Sequence, residues 1–273
     1  MKPVAFNYER PRTIAEAVRL LSGNPDAKIL AGGQTLGPML NLRLVQPALI
    51  IDVTRIPELT RVEEDGSAVI LGACVTHASV EDKRITDPSN GFLAAVAHGI
   101  AYRAVRTRGT IGGSLAHADP AADWLSCLIA LGAEVLLTGP HGKRRVALSD
   151  FMRGALDTQL ESDEILDGVR IPRLSKGARA GFAKICRKSG DFADAIGAVV
   201  HDADRGVLRL VAGATQGRPI LIDAAASGLG TSFPPPLEPV RETLKQSGLA
   251  GDAYQLNIHM AAIKRAVDKA QAS

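Results

Sequence analysis

The sequence predicts a protein of mixed helices and sheets that is divided into more than one lobe. Up to residue 53, a helical pattern alternates with strand patterns, as in a small α/β lobe. From Leu59 onward, strand patterns come in pairs separated by turn residues, which indicates hairpins. After residue 177, three strand patterns at hairpin spacing precede two helical segments. This order predicts an antiparallel sheet with helices at the C-terminal end.

The N-terminal lobe begins with a short amphipathic helix. Thr13 and Glu16 form a capping box, apolar residues recur at helical spacing behind them, and Gly23 ends the pattern. Residues 28–30 predict a short strand that leads into a glycine pair. Residues 47–53 are a continuous apolar run, which is typical of a strand covered on both faces.

Two hairpins are predicted in the second lobe. Strand patterns within residues 61–71 flank Asp65-Gly66, where glycine tolerates the positive φ that a tight turn requires. Strand patterns within residues 134–148 flank a turn at 139–142. Between these hairpins, a glycine-rich segment at 110–119 is expected to precede a helix.

The start of that helix is predicted from Asp119 and Pro120. Asp119 is expected as the N-cap and Pro120 as the first helical residue, and Gly132 ends the pattern. The C-terminal part is expected to contain strands at 181–185, 195–201 and 207–214 and helices at 237–246 and 252–269.

Composition excludes several classes of protein. The net charge is +3 with positive and negative residues interspersed, unlike the concentrated basic stripe of a nucleic-acid-binding protein. The densest apolar run, residues 128–137, is about ten residues long and contains Glu134, too short and too polar for a membrane span. We therefore expect a cytoplasmic protein without a membrane span.

The cysteines predict no metal site on this chain. Cys74, Cys127 and Cys186 are more than fifty residues apart, and no Cys-x-x-Cys or Cys/His cluster occurs. Reduced thiols in a reducing compartment are the expectation.

Two glycine-rich segments are the candidates for a ligand-binding site. The first loop is Ala31-Gly32-Gly33-Gln34-Thr35-Leu36, after a strand; the second loop is Thr110-Ile111-Gly112-Gly113-Ser114, before a helix. Paired glycines let backbone N–H groups approach an anion such as phosphate, and the hydroxyl groups add donors. Taken singly, each segment has the alternative interpretation of a tight turn. Neither fits the G-x-G-x-x-G fingerprint of a Rossmann fold, and no Gly-Lys-Ser/Thr triplet of a P-loop occurs.

Together the two loops resemble the paired FAD-binding signatures of the molybdenum hydroxylase flavoproteins, the medium subunits of enzymes like carbon monoxide dehydrogenase and xanthine dehydrogenase. The A-G-G-x-S/T-L loop, the T-x-G-G-S/N loop and the segments that continue them, 38–44 and 117–123, follow the family pattern. The resemblance implies an α+β, two-lobed PCMH-type FAD-binding fold over residues 1–176, with lobes at about 1–54 and 55–176. A C-terminal domain of antiparallel sheet and helices is implied at 177–273.

The resemblance also implies the residues that bind FAD. The two loops would hold the pyrophosphate and nearby ribityl and ribose oxygens. Asp123 is similar to the acid that bonds the flavin side, Leu166 to the aliphatic residue against the isoalloxazine ring, and Lys184 to the lysine near its polar edge. For Asp123 and Lys184, unrelated surface charges on a helix and a strand are the alternative. Beyond the flavin, no catalytic residue and no metal ligand is expected on this chain.

The function that the resemblance implies is electron relay. Substrate would be hydroxylated at a molybdopterin centre on a large subunit, and electrons would cross [2Fe–2S] clusters on a small subunit to FAD on this chain, in an expected (αβγ)2 assembly. The resemblance leaves the substrate open, with NAD, quinone or oxygen as the acceptor. The alternative is a free-standing flavin oxidase of the vanillyl-alcohol oxidase type, which would need its own substrate cavity and base.

Overall fold

The computed structural model describes residues 1–272 and consists of mixed helices and sheets. Its helices are α1 (Ile14–Ser22), α2 (Leu36–Asn41), α3 (His77–Glu81), α4 (Phe92–His98), α5 (Arg103–Arg106), α6 (Ile111–His117), α7 (Asp123–Leu131), α8 (Leu148–Phe151), α9 (Leu237–Gln246) and α10 (Ala253–Ala272). Its strands are β1 (Asn7–Glu9), β2 (Lys28–Leu30), β3 (Leu49–Asp52), β4 (Val62–Asp65), β5 (Ala68–Gly72), β6 (Glu134–Gly139), β7 (Gly142–Ala147), β8 (Met152–Gly154), β9 (Asp157–Thr158), β10 (Ile165–Pro172), β11 (Arg179–Ile185), β12 (Ala195–Asp202), β13 (Val207–Gly213) and β14 (Ile220–Asp223).

A small parallel sheet forms the N-terminal lobe, in the order β1-β3-β2. The central strand β3 is buried along its whole length, as its continuous apolar run predicts. Helix α1 begins where predicted, because the Thr13 side chain accepts a hydrogen bond from the Glu16 N–H at 3.2 Å. Strand β2 then leads directly into the first glycine loop.

An antiparallel sheet follows, in the order β4-β5-β10-β6-β7. Both predicted hairpins are confirmed: β4 pairs with β5 and β6 pairs with β7. The register of β10 against β6 shifts between Leu166 and Gly168, which marks a β-bulge. This bulge lies beside the cavity described below.

The third sheet is antiparallel, with the order β11-β12-β13-β14, and α10 lies across β11 and β12. Gly181 and Gly197 allow this close packing. A Cβ at Gly181 would lie 1.9 Å from the Ala266 carbonyl oxygen, and a Cβ at Gly197 would lie 2.4 Å from the Ala262 carbonyl. Helix α7 packs against β12 and β13, which connects the third sheet to the second lobe.

The structure corrects two predicted elements. The segment 110–119 is not an irregular loop, because Ile111–His117 forms α6 with Thr110 as its N-cap. Helix α7 begins at Asp123 and not at Pro120, because Asp119 accepts a hydrogen bond from the Ala121 N–H and closes a turn ahead of the helix. Strand β14 was not predicted from the sequence, since its four residues carry little pattern.

Two hydrophobic cores lie in the described chain. The larger one extends from α1 to β10 and also takes in Ala198, Val200 and Val211 from one face of the third sheet. The smaller one lies between the other face of that sheet and helices α9 and α10. The division of the chain at residues 176 and 177 falls between β10 and β11 and stays a prediction. Within residues 1–272, no helix is long and apolar enough to cross a membrane.

Candidate cofactor site

A cavity of about 710 Å³ lies among the N-terminal lobe, the second sheet and the segment around residues 190–192. It is lined by twelve of the fourteen residues predicted as cofactor-binding: Ala31, Gly32, Gly33, Gln34, Thr35, Leu36, Thr110, Gly112, Gly113, Ser114, Asp123 and Leu166. Ile111 is fully buried in the core instead, and Lys184 reaches the site through Asp123.

The two glycine loops, about eighty residues apart in the sequence, are in contact at the wall of this cavity. A Cβ at Gly32 would lie 2.1 Å from the Arg108 carbonyl oxygen and 2.8 Å from the Gly109 Cα, just ahead of the second loop. A Cβ at Gly113 would lie 3.9 Å from the Ala31 Cβ. Glycine at position 32 is therefore required for the loops to approach each other.

The first loop offers unpaired backbone donors. Gly33 has a φ of 70°, which turns the chain from β2 into α2. The N–H groups of Gly33, Gln34 and Thr35 donate to no acceptor within residues 1–272. Three successive unpaired donors at a cavity wall are suited to an anionic group such as phosphate.

The second loop differs from the sequence interpretation, because its backbone donors are already used. The N–H groups of Ile111 and Gly112 donate to the Val75 and Ala73 carbonyl oxygens at 3.0 and 2.9 Å. Those of Gly113 and Ser114 donate to the Thr110 Oγ1 and the Thr110 carbonyl oxygen, each at 3.1 Å. These bonds fix the loop against the end of β5, so the groups it can still offer a ligand as donors are the hydroxyls of Thr110 and Ser114, which both line the cavity.

Asp123 and Lys184 form a buried ion pair. The Lys184 Nζ lies 3.1 Å from the Asp123 Oδ1 and 3.3 Å from Oδ2, and it also donates to the Gly99 carbonyl oxygen at 2.9 Å. The side chains of Asp123 and Lys184 are only 9% and 12% exposed, so the alternative of unrelated surface charges is wrong.

The electrostatics of Asp123 are those of a buried carboxylate with one oxygen left for a ligand. Burial raises its pKa, and attraction to Lys184 opposes that rise. Although Oδ1 is close to the ammonium group, the angles there do not make a hydrogen bond, and Oδ1 has no hydrogen-bond partner within the described chain. A ligand that donates a hydrogen bond would satisfy this oxygen.

An apolar wall faces the same cavity. Ile165 and Leu166 are both buried and both line it, at the start of β10 where the bulge disturbs the alternation of side chains. Leu160 and the exposed Phe192 add further apolar surface. Such a wall is suited to a planar ring system.

Sequence reasoning missed His77 and Trp124, which also line the cavity. Their side chains are joined by a hydrogen bond from the Trp124 Nε1 to the His77 Nδ1 at 3.0 Å. His77 reaches the site because Thr76 forms an antiparallel bridge with Thr110. This long-range contact cannot be predicted from a local sequence pattern. Trp124 follows Asp123 directly, and only its position next to a predicted ligand residue could have drawn attention to it.

Comparison with known proteins decides the family. Residues 4–174 match the family described as "FAD binding domain in molybdopterin dehydrogenase". The chain belongs to this family.

Relatives of this molybdopterin dehydrogenase FAD-binding family share most of the chain. The carbon monoxide dehydrogenase medium chain of Hydrogenophaga pseudoflava is 41% identical over 73% of this chain and 70% of its own length. The nicotine 6-hydroxylase medium subunit of Paenarthrobacter nicotinovorans is 36% identical over 95% of this chain and 91% of its own length. The solved carbon monoxide dehydrogenase from Hydrogenophaga pseudoflava that lacks the Mo-pyranopterin moiety superposes with a TM-score of 0.88 at 36% identity, covering 100% of this chain and 99% of that one.

The residues at the cavity fit the FAD that gives the family its description. The unpaired N–H groups of the first loop are suited to a pyrophosphate, the Asp123 Oδ1 to a donor of the cofactor, and the wall of Ile165 and Leu166 to a ring system. The volume of about 710 Å³ lies within the roughly 300–1,000 Å³ of small-molecule and cofactor sites. Among residues 1–272, no group of three or more His, Cys, Asp or Glu side chains could hold a metal ion.

Proposed function

We propose that this chain is the electron-transferring subunit of a molybdenum hydroxylase complex. It receives electrons from [2Fe–2S] clusters of a partner subunit and delivers them to an external acceptor. The observation that carries the proposal is the contact between the two glycine loops at the wall of one cavity, with unpaired N–H donors in the first loop. FAD bound there supplies the redox centre, and the protein supplies its binding, orientation and electrostatic surroundings.

The residues that would hold FAD fall into three groups by chemistry. The first loop and the Ser114 hydroxyl contact the phosphates and nearby sugar oxygens. The Asp123 carboxylate accepts a hydrogen bond, and Lys184 places a positive charge beside it. Ile165 and Leu166 pack against the ring. The full proposed set is Ala31, Gly32, Gly33, Gln34, Thr35, Leu36, Thr110, Ile111, Gly112, Gly113, Ser114, Asp123, Leu166 and Lys184, in which Ile111 acts by anchoring the second loop in the core.

The names of the relatives support a multi-subunit assembly. They include a medium chain and a medium subunit, names that belong to parts of larger complexes. We propose as partners a small subunit with [2Fe–2S] clusters and a large subunit with molybdopterin, in an (αβγ)2 complex in the cytoplasm. Residues 1–176 form the FAD-binding domain in this proposal, and residues 177–273 form the C-terminal domain.

Purification of the full chain with its bound proteins from the native host tests the assignment. We expect a preparation that contains FAD, molybdenum and iron together. Under anaerobic conditions, chemical reduction of the iron–sulfur subunit is expected to bleach the flavin absorbance, and an added acceptor restores it. The same complex stripped of FAD is the control and should reduce the acceptor far more slowly. A chain that purifies alone and oxidises an alcohol with uptake of oxygen would support a free-standing flavin oxidase instead.

A further inference from the structure

His77 is held in one tautomer by its neighbour. The Trp124 indole nitrogen can only donate, and it lies 3.0 Å from the His77 Nδ1. The Nδ1 must therefore be an unprotonated acceptor, since a proton on it would face the indole proton. A neutral imidazole in this arrangement carries its single proton on Nε2.

The surroundings of His77 keep the ring neutral. The residue is 6% exposed, and burial together with the nearby positive charge of Arg106 lowers its pKa from 6.5 to about 4. At neutral pH, the imidazole thus presents one N–H donor, on Nε2. This N–H donates to no acceptor within residues 1–272.

The ring lies at the point where the two glycine loops meet. The His77 N–H donates to the Gly109 carbonyl oxygen at 2.9 Å. A Cβ at Gly109 would lie only 2.7 Å from the His77 Nε2, so the edge of the ring packs directly against the start of the second loop. Gly109 is also the residue whose Cα faces Gly32 of the first loop. His77 also lines the cavity.

A polar group of this kind points to a ligand. His77 lines the cavity, so an acceptor on a bound ligand can reach its unpaired Nε2–H, and polar groups that are largely buried normally find a partner in native proteins. The first loop offers three unpaired N–H groups to the same cavity, so the Nε2–H adds a fourth donor to its wall.

We propose that His77 is a further cofactor-binding residue: its Nε2–H donates a hydrogen bond to an oxygen of the phosphate-and-sugar part of FAD, while Trp124 fixes the opposite nitrogen. The inference rests on the proposed binding of FAD in this cavity and assigns a donor that the two loops do not supply. Because the ring is uncharged, it orients the bound oxygen through one hydrogen bond. It does not introduce a group that titrates near neutral pH.

Nitrogen-15 NMR of histidine in the full apo chain tests the arrangement in the wild-type protein, and a variant is needed only to assign the signals. We expect the His77 Nδ1 to resonate as an unprotonated nitrogen and Nε2 as a protonated one throughout pH 6–8. The spectrum of His77→Gln identifies the signals among the six histidines. Addition of FAD, and separately of ADP, should shift the Nε2–H signal. An Nδ1–H tautomer, or an Nε2 signal that does not move when FAD binds, would overturn the proposal.

Binding titrations with FAD measure how much His77 contributes to the affinity for the cofactor. His77→Phe keeps a ring but removes the donor, and it is expected to weaken FAD binding about tenfold, as for loss of a hydrogen bond to a charged acceptor. His77→Gln restores an N–H donor and should recover part of this loss. His141→Phe, at an exposed turn, is the matched control and should bind FAD like the wild type.

The outcomes separate the two proposals. If the wild-type chain takes up no FAD, the proposed function fails. If the wild type binds FAD and His77→Phe binds it equally well, only the role of His77 fails. If His77→Phe does not fold, the NMR result on the wild-type chain decides.

Discussion

Lys184 on β11 forms an ion pair with Asp123 at the start of α7, with the ammonium nitrogen 3.1 Å from the carboxylate oxygen. The same ammonium group donates to the Gly99 carbonyl oxygen at 2.9 Å. One side chain of the third sheet thus connects two segments of the cavity wall. The C-terminal part of the chain, which is far from the glycine loops in the sequence, therefore helps to position the Asp123 carboxylate at the cavity.

Removal of one member of this pair is expected to destabilise the protein strongly. Lys184→Met leaves the Asp123 carboxylate buried without a counter-charge, which typically costs about 3–5 kcal/mol of unfolding free energy. The double variant Lys184→Met with Asp123→Asn should recover a large part of that loss, because no buried charge remains. Urea denaturation of the single variants and the double variant measures this coupling.

The exposed pair Lys264 and Asp268 is the matched control. Its side chains are 60% and 53% exposed, and Lys264→Met is expected to change the unfolding free energy by less than about 1 kcal/mol. If Lys184→Met and Lys264→Met have equal effects, or if the effects at 184 and 123 simply add, the buried pair does not have the assigned role.

Because His77 is buried as a neutral ring, we expect the unfolding free energy to depend on pH. Its pKa is lowered in the folded protein from 6.5 to about 4, so the unfolded chain binds a proton more readily. Its favourable contribution is complete above about pH 6.5 and is lost as the pH falls toward about 4, a change of about 3 kcal/mol at about 1.4 kcal/mol per pKa unit. His77→Gln should show a shallower fall of unfolding free energy over that interval. Parallel curves for the two proteins would contradict the burial of a neutral histidine.

A side chain at position 197 is expected to clash with α10 where that helix packs on the third sheet. Because a Cβ there would lie 2.4 Å from the backbone of Ala262, Gly197→Ala must push α10 away from β12. We expect a loss of about 1–3 kcal/mol of unfolding free energy, as for other overpacked interiors. Gly177→Ala, where a Cβ meets nothing within 4 Å, is the control and should be almost neutral. A thermal or urea unfolding curve for Gly197→Ala that matches the control would argue against this packing.

The parts of the site that could be predicted from sequence are those encoded by local chemistry. Gly33 has the positive φ that a glycine pair after a strand indicates, and the first loop could therefore be recognised from its residues. The helix that begins after Thr110 was not predicted, although the glycine pair at 112–113 was. The hairpin at Gly66 and the helix Leu237–Gln246 follow from turn residues and helical periodicity in the same way. In each case the determinant lies within a few residues of the element.

The parts that could not be predicted depend on tertiary contacts. Gly112 is next to Ala73 because the second loop packs on the end of β5, and this contact uses the N–H groups that the sequence interpretation assigned to an anion. His77 enters the cavity through the bridge between Thr76 and Thr110. Trp124 is buried and resembles an ordinary core residue until its hydrogen bond to His77 is seen.

The central claim is that the two loops close one FAD site, and the FAD content of purified Gly113→Val tests it most directly. A Cβ at Gly113 would lie 2.9 Å from the Thr110 Oγ1 and 3.9 Å from the Ala31 Cβ, so a valine side chain would occupy the space between the loops. We predict one bound FAD per chain for the wild type and for the control Gly177→Val, and a folded but colourless Gly113→Val protein. A Gly113→Val protein with full FAD content, or a folded wild-type chain that takes up none, would contradict the account.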